Sequence, residues 1–199
     1  MDSTVCLYLA ASEEQNDVVS LGIDYGQALK IEMMFAAAQA AQKRVERKII
    51  QVRWDKPERI IPLGRKVEQI KMERSPAYLP GRNLVFLALA SAEGAGLDAD
   101  EIHIGINQVD FSGYPDCTEK FIEAFRNVHA IGGSRSEIVA PLLHKSKPEI
   151  AKLASKLGIG EHDTWSCYRP RIYDGSIQPC KECDACKLHE FAWRKSEAG

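Results

Sequence analysis

Cys167, Cys180, Cys183 and Cys186 form the pattern C-x12-C-x2-C-x2-C, in which the last three can converge on one ion from a single turn. Four thiolates at about 2.3 Å close a tetrahedral Zn²⁺ site with no open coordination position. One such ion per chain is therefore expected to be structural, and the chemistry must lie elsewhere. An iron–sulfur run of the bacterial ferredoxin type would continue with a fourth cysteine and a proline, where this chain has Lys187-Leu188-His189-Glu190. His189 is either a substitute ligand or, on the plainer reading, a solvated or capping histidine. Cys6 reads as a small core residue on the apolar stripe of a helix, and Cys117 stands in a polar loop.

A second set of candidates follows the apolar runs. The loop NQVDFSGYPDCTEKF joins carboxylates, a hydroxyl, aromatics, a glycine and a proline, a composition suited to holding a ligand beyond a parallel strand. Phe111 or Tyr114 could stack on a heterocycle. Asp110 or Asp116 could accept paired N–H donors from a guanine-like edge. The plainer alternative is a Tyr-Pro turn in which Asp116 or Thr118 caps the next helix. In LPGRN, Arg82 and Asn83 suit an anion at a helix start, or else form a Pro-Gly turn with a capping asparagine. Lys145 and Lys147 follow another strand, and a lysine at a helix N-terminus opposes the dipole unless an anion is bound there. DYGQ, residues 24–27, stands where a nucleotide base or ribose is commonly positioned in such a fold.

These residues must be positioned by alternating strands and helices. Periodicity predicts a helix over 2–11, a buried strand over 18–24, a helix over 27–43 and a strand in ERKIIQVRW. Residues 55–80 read as an irregular excursion. RNLVFLALASAEGAG is a predicted helix, EIHIGIN (101–107) a strand, TEKFIEAFRNVHAIGG an amphipathic helix and SEIVAPL a strand. SKPEIAKLASKLGIG is a helix with Ser146 as N-cap and Pro148 in its first turn. The rhythm predicts an α/β fold with a doubly wound, mostly parallel sheet over residues 1–164, with ligands beyond the carboxyl ends of its strands. Residues 165–199 are expected to form a small zinc-stapled lobe packed on it.

The totals narrow the function classes. The chain has 199 residues, 45% hydrophobic and 27% charged, with a formal charge of −2. Four bound thiolates and one divalent ion would bring the charge to about −4. No global basic field exists to attract nucleic acid, and KRVERK (43–48) reads as a solvated helix end. No apolar run is long enough to span a membrane and no leader pattern opens the chain, so a cytoplasmic protein is expected.

DST at 2–4, DYGQ at 24–27, LPGRN at 79–83, DFSGYPDC at 110–117, APL with Lys147 and Glu149, and TWSCY with the final cysteines occur in one order. Together they resemble the 7-cyano-7-deazaguanine synthases of the queuosine and deazapurine pathway, which are PP-loop ATPases. The likeness covers nearly the whole chain. It implies a nucleotide alpha-hydrolase-like fold and an ATP-dependent ligase that takes 7-carboxy-7-deazaguanine and ammonia to the nitrile, with Mg²⁺ accompanying ATP. It also implies a homodimer. Carried over residue by residue, Asp2, Ser3 and Thr4 belong to the ATP phosphate loop, with Asp24 and Tyr25 also on the nucleotide. Arg82 and Lys147 stabilise anions and are the catalytic candidates. Asn83, Asp110, Phe111, Ser112, Tyr114 and Asp116 would hold the deazaguanine.

The chain departs from the family at two places. The stretch RPRIYDGSIQP between Cys167 and Cys180 looks longer than usual. The family's Ser-Gly-Gly-x-Asp-Ser is represented by x-Asp-Ser alone, with Met1 at x. The expectation is a sheet lacking a strand of about five or six residues, and residues 1–199 that fold poorly or are inactive by themselves. The alternatives are a relative that transfers activated deazaguanine to another acceptor and a non-catalytic zinc-stabilised binding protein.

Overall fold

The structure is a computed structural model that describes residues 1–13, 15–27, 30–53, 60–107 and 114–197. The chain begins with α1 (Asp2–Ala10), β1 (Val19–Asp24), α2 (Ile31–Gln42) and β2 (Glu46–Gln51). Next come α3 (Val67–Met72), α4 (Arg82–Gly96), β3 (Glu101–His103), α5 (Glu119–Ile131), β4 (Glu137–Val139) and α6 (Lys147–Lys156). The tail adds a hairpin, β5 (Arg171–Tyr173) and β6 (Ser176–Gln178), then α7 (Asp184–Glu197). The α/β alternation with parallel strands is as expected. β1 pairs with β2 in parallel register, Val19 opposite Glu46, and β3 pairs with β4, Glu101 opposite Glu137.

Among the described residues β1 and β3 are not hydrogen-bonded to each other, so two strand pairs replace one continuous sheet. A parallel sheet gains stability when both edges of a strand are paired and its faces are covered. Here each pair is held by its helices. Leu87 of α4, Ile102 of β3, Ile122 of α5 and Ile138 of β4 form one core. Val5 and Tyr8 of α1, Ile150 of α6 and Trp193 of α7 form another.

Several expectations change. The helix expected from residue 27 starts at Ile31, and the strand expected over 101–107 pairs over Glu101–His103, with one further bond from Ile104 N to Val139 O at 2.9 Å. The excursion after residue 55 contains α3, which packs against α7. α7 itself is not confined to the cysteine-rich lobe. Its C-terminal half shares a core with α1 and α6, so the lobe is anchored to the helices of the preceding α/β part by apolar burial. The hairpin carries Asp174 and Gly175 at its turn, φ 48° and 72°, the left-handed pair that a two-residue type I′ turn requires. It occupies most of the stretch between Cys167 and Cys180.

Candidate functional site

The cysteine centre is assembled by the end of the hairpin and the first turn of α7. Sγ atoms of Cys167, Cys180, Cys183 and Cys186 all lie within 4.8 Å of one another and all four residues are buried. Cys180 and Cys186 sulfurs are 3.9 Å apart, against about 3.8 Å for the edge of a tetrahedron with 2.3 Å bonds. Cys167 Sγ accepts from the backbone N–H of Cys180 at 3.2 Å and of Arg169 at 3.3 Å, and Cys180 Sγ accepts from Cys183 N at 3.3 Å. Such donors stabilise thiolates around a cation. The thiol of Cys183 is pulled down, chiefly by hydrogen bonding from Cys186, whose own thiol is pushed up. The residues fit a closed four-thiolate metal site. His189 is not part of it. Its Nε2 faces Glu161 O at 3.2 Å and its Nδ1 faces Ser166 Oγ at 3.2 Å, so the carbonyl fixes the proton on Nε2 and the serine donates to Nδ1.

A cavity of about 500 Å³ lies against both β1 and the segment after β3, which supply Ser20–Ile23 and residues 104–107 to its wall. Its volume is that of a small-molecule site. The start of α1 enters it with Asp2, Ser3 and Thr4. Gly105 makes this approach possible, because a Cβ there would stand 2.7 Å from Ser3 N and 2.9 Å from Asp2 C. Lys147, at the start of α6, donates to Asp2 Oδ2, and Asn107 Nδ2 lies 3.3 Å from the same oxygen. Burial works to raise the Asp2 carboxyl, but the Lys147 ammonium and its hydrogen bond outweigh it and hold the group below the ordinary range. Asp2 Oδ1 and Asn107 Oδ1 are buried without a partner among the described residues.

Gly81, at φ 75°, turns the chain into α4 and delivers Arg82 to the cavity. Arg82 hydrogen-bonds with the Tyr25 hydroxyl and lies over the Phe86 ring, 5.9 Å from its centroid. Tyr25 and Phe86 rings are 5.5 Å apart, and Tyr114 stacks on Tyr78 at 5.0 Å. Lys147, Arg82, Asp2, Ser3, Thr4, Tyr25, Asn83 and Tyr114 are thus brought together on one cavity wall.

The remaining predicted residues divide. Asp24 is not among the described lining residues. Its carboxylate accepts from Gly26 N at 3.1 Å and Lys30 Nζ at 2.5 Å, which shapes the turn that presents Tyr25. Asp116 is likewise absent from the described lining. Asn83 donates from its backbone N to Asp116 Oδ2 at 3.3 Å and from Nδ2 to Asp116 O at 3.0 Å. The pair binds the loop to α4, while Thr118 caps α5 by accepting from Phe121 N. Asp110, Phe111 and Ser112 lie outside the described residues. Cys117 is buried and burial pushes its thiol up to about 12, which leaves it protonated and non-nucleophilic at neutral pH. Cys6 is a core residue, as expected.

Sequence reasoning passed over Ser75, Ser166, Tyr168 and Asp184, all of which line the cavity. Ser166 and Tyr168 flank a metal ligand and Asp184 stands between two of them, so their nearness to the cysteines concealed a second use.

Residues 1–197 match the protein family described as queuosine biosynthesis protein QueC. The chain is 58% identical over 196 residues to "7-cyano-7-deazaguanine synthase 2" of Rhodopseudomonas palustris (strain HaA2), covering 98% of this chain and 93% of that protein. It is 35% identical over 215 residues to a 7-cyano-7-deazaguanine synthase of Leptospira interrogans (strain Fiocruz L1-130), covering 98% and 84%. A synthase of the same name from Thermoplasma volcanium is 34% identical over 197 residues, covering 94% and 79%. With a match over nearly its full length, the buried four-cysteine site and parallel strands around one cavity, the chain belongs to the QueC family.

Proposed function

We propose that the protein is an ATP-dependent carbon–nitrogen ligase that converts 7-carboxy-7-deazaguanine and ammonia to 7-cyano-7-deazaguanine in queuosine biosynthesis. Family membership supports this reading, and one observation carries it at the level of the site. Asp2, Arg82 and Lys147, distant in sequence, converge on a cavity that also holds the hydroxyls of Ser3 and Thr4 and the rings of Tyr25 and Tyr114.

A carboxylate is a poor electrophile, so one of its oxygens must become a leaving group. In the proposed sequence a substrate carboxylate oxygen attacks the α-phosphorus of ATP and pyrophosphate departs. Ammonia then adds at the acyl carbon, AMP leaves and a proton is lost, giving the amide. Attack of the amide oxygen on the α-phosphorus of a second ATP releases a second pyrophosphate, and loss of AMP and both amide protons then gives the nitrile. The chain's own part is to orient and to stabilise charge. N–H groups and hydroxyls at the start of α1 hold phosphate oxygens, and Lys147 balances the charge that develops on the departing pyrophosphate. Arg82 holds the reacting carboxylate beside the aromatic walls.

Asp2 Oδ1 and Asn107 Oδ1, buried and without a partner among the described residues, are oxygen ligands that fit Mg²⁺, which would supply charge neutralisation at the phosphates. The four cysteines would hold structural Zn²⁺, suited to an all-thiolate tetrahedral set. A homodimer and a cytoplasmic location are proposed on the family resemblance. No helix of the described residues is long and apolar enough to cross a membrane.

The test is product formation from purified protein with 7-carboxy-7-deazaguanine, ammonia, ATP and Mg²⁺, followed by mass spectrometry. Ammonia- and ATP-dependent appearance of the nitrile is expected. Binding of the deazaguanine with no nucleotide consumption would instead mark a non-catalytic binding protein. Consumption of ATP without use of ammonia would mark transfer to another acceptor.

A further inference from the structure

The geometry points to Asp184, carried by the cysteine-rich lobe, as the residue that reads the amino-pyrimidinone edge of the substrate. Arg82 takes the substrate's carboxylate in the same cavity. This rests on the proposed ligase reading and names the recognition group within it.

Asp184 is 3% exposed, and its two oxygens are used unequally. Oδ2 accepts from Arg65 Nη1 at 3.0 Å and from Ser75 Oγ at 2.9 Å. Arg65 also donates to Gln69 O at 3.0 Å, so the carboxylate is held by a cation that is itself fixed. Oδ1 is buried and has no partner among the described residues, although Asp184 lines the cavity. Buried polar atoms are almost always satisfied, and one left open beside a cavity marks where a ligand donor belongs. Arg82 is the counterpart. It lines the same cavity, and its Nε is a buried donor with no partner among the described residues. Tyr114 is within electrostatic reach of both Arg82 and Asp184 and hydrogen-bonds with Ser75, which places the open acceptor and the open donor about one aromatic wall.

The ligand that satisfies this set has N–H donors at one end, a flat aromatic body and an anion at the other. 7-Carboxy-7-deazaguanine has that form. Its N1–H and 2-amino group are the donors that a carboxylate accepts, and its 7-carboxylate is the anion that a guanidinium pairs with. Asp116, the carboxylate that composition favoured, gives Oδ2 to Asn83 N, and although its Oδ1 is also without a partner among the described residues, it is absent from the described lining.

The test compares 7-carboxy-7-deazaguanine with the analogue lacking the 2-amino group, using calorimetry and steady-state kinetics on the full chain. In the wild type, loss of the amino group is expected to raise Kd and KM at least about tenfold, because it leaves Oδ1 unpaired. In Asp184→Asn that ratio falls towards one, while the KM for ATP and the metal content stay as in the wild type. A wild type that takes both compounds equally well overturns the inference without any variant. So does Asp184→Asn with the wild-type ratio. Should Asp184→Asn lose its metal, Asp184→Ser, which removes the carboxylate, is read in its place, and an unchanged ratio there has the same consequence. Failure of the wild type to bind or convert the parent compound at all defeats the ligase reading, and this inference with it.

Discussion

Lys147 and Asp2 are joined in space across 145 positions of sequence, and their ion pair sits where α1 and α6 both begin. A lysine in the first turn of a helix is unfavourable unless an anion faces it, and Asp2 supplies one within the chain. If Lys147 also steadies the departing pyrophosphate, Lys147→Met should lower kcat/KM for ATP about 100- to 1,000-fold with the cysteine site still filled. A loss below about threefold would count against that role. The pair has a pH signature too. The Asp2 carboxyl titrates below its ordinary value of 3.8, so the stability it contributes is complete above that value and is lost as pH falls through the folded-state value. The difference in urea midpoint between wild type and Asp2→Asn, present at pH 6, should therefore close below about pH 3.8. A difference that stays constant with pH would show that Asp2 acts by something other than its charge.

Among the elements, α1 and the segment after β3 approach so closely that Gly105 has no substitute. A methyl group there would meet backbone atoms of Asp2 and Ser3 at 2.7 and 2.9 Å, and backbone cannot swing aside as a side chain can. Gly105→Ala is expected to cost about 1–3 kcal/mol and to weaken nucleotide binding, because α1 must move away from the cavity. An unchanged melting midpoint and unchanged ATP affinity would refute the close approach. The helices themselves were legible in the sequence. α4 spans the predicted run with Gly81 ahead of it, and Ser146 and Thr118 cap α6 and α5 through their hydroxyls. The shortening of the strand at 101–107 was not legible, since apolar alternation continues to Asn107 while a pairing neighbour is available over Glu101–His103. Strand length is set by partners and not by composition.

At the scale of the whole molecule, the cavity depends on the cysteine lobe, which contributes Ser166, Tyr168 and Asp184 to its wall. Stripping the metal with a thiol-competing chelator should therefore abolish deazaguanine binding as well as loosening the lobe, and Zn²⁺ should restore both. Retained binding after complete metal loss would separate the two. The pairing of β1 makes a further prediction. β1 amides bonded to β2 should exchange with solvent more slowly than those on its other edge, where no strand partner is present among the described residues. Uniform protection along both edges would mean that the two strand pairs are closed against each other in solution.

The sequence by itself determined the parallel α/β rhythm, the metal-binding cysteines and the family, because periodicity, capping and ligand spacing are local properties written in neighbouring residues. It also singled out Arg82, Lys147 and the Asp-Ser-Thr start, which the structure brings to one cavity. The tertiary structure decided which carboxylate faces the cavity. Asp116 and Asp184 both look available in composition, and each keeps Oδ1 buried without a partner among the described residues, yet of the two only Asp184 is in the described cavity lining. That choice depends on how α4, α7 and the loops meet across long sequence distances, and no spacing along the chain encodes it.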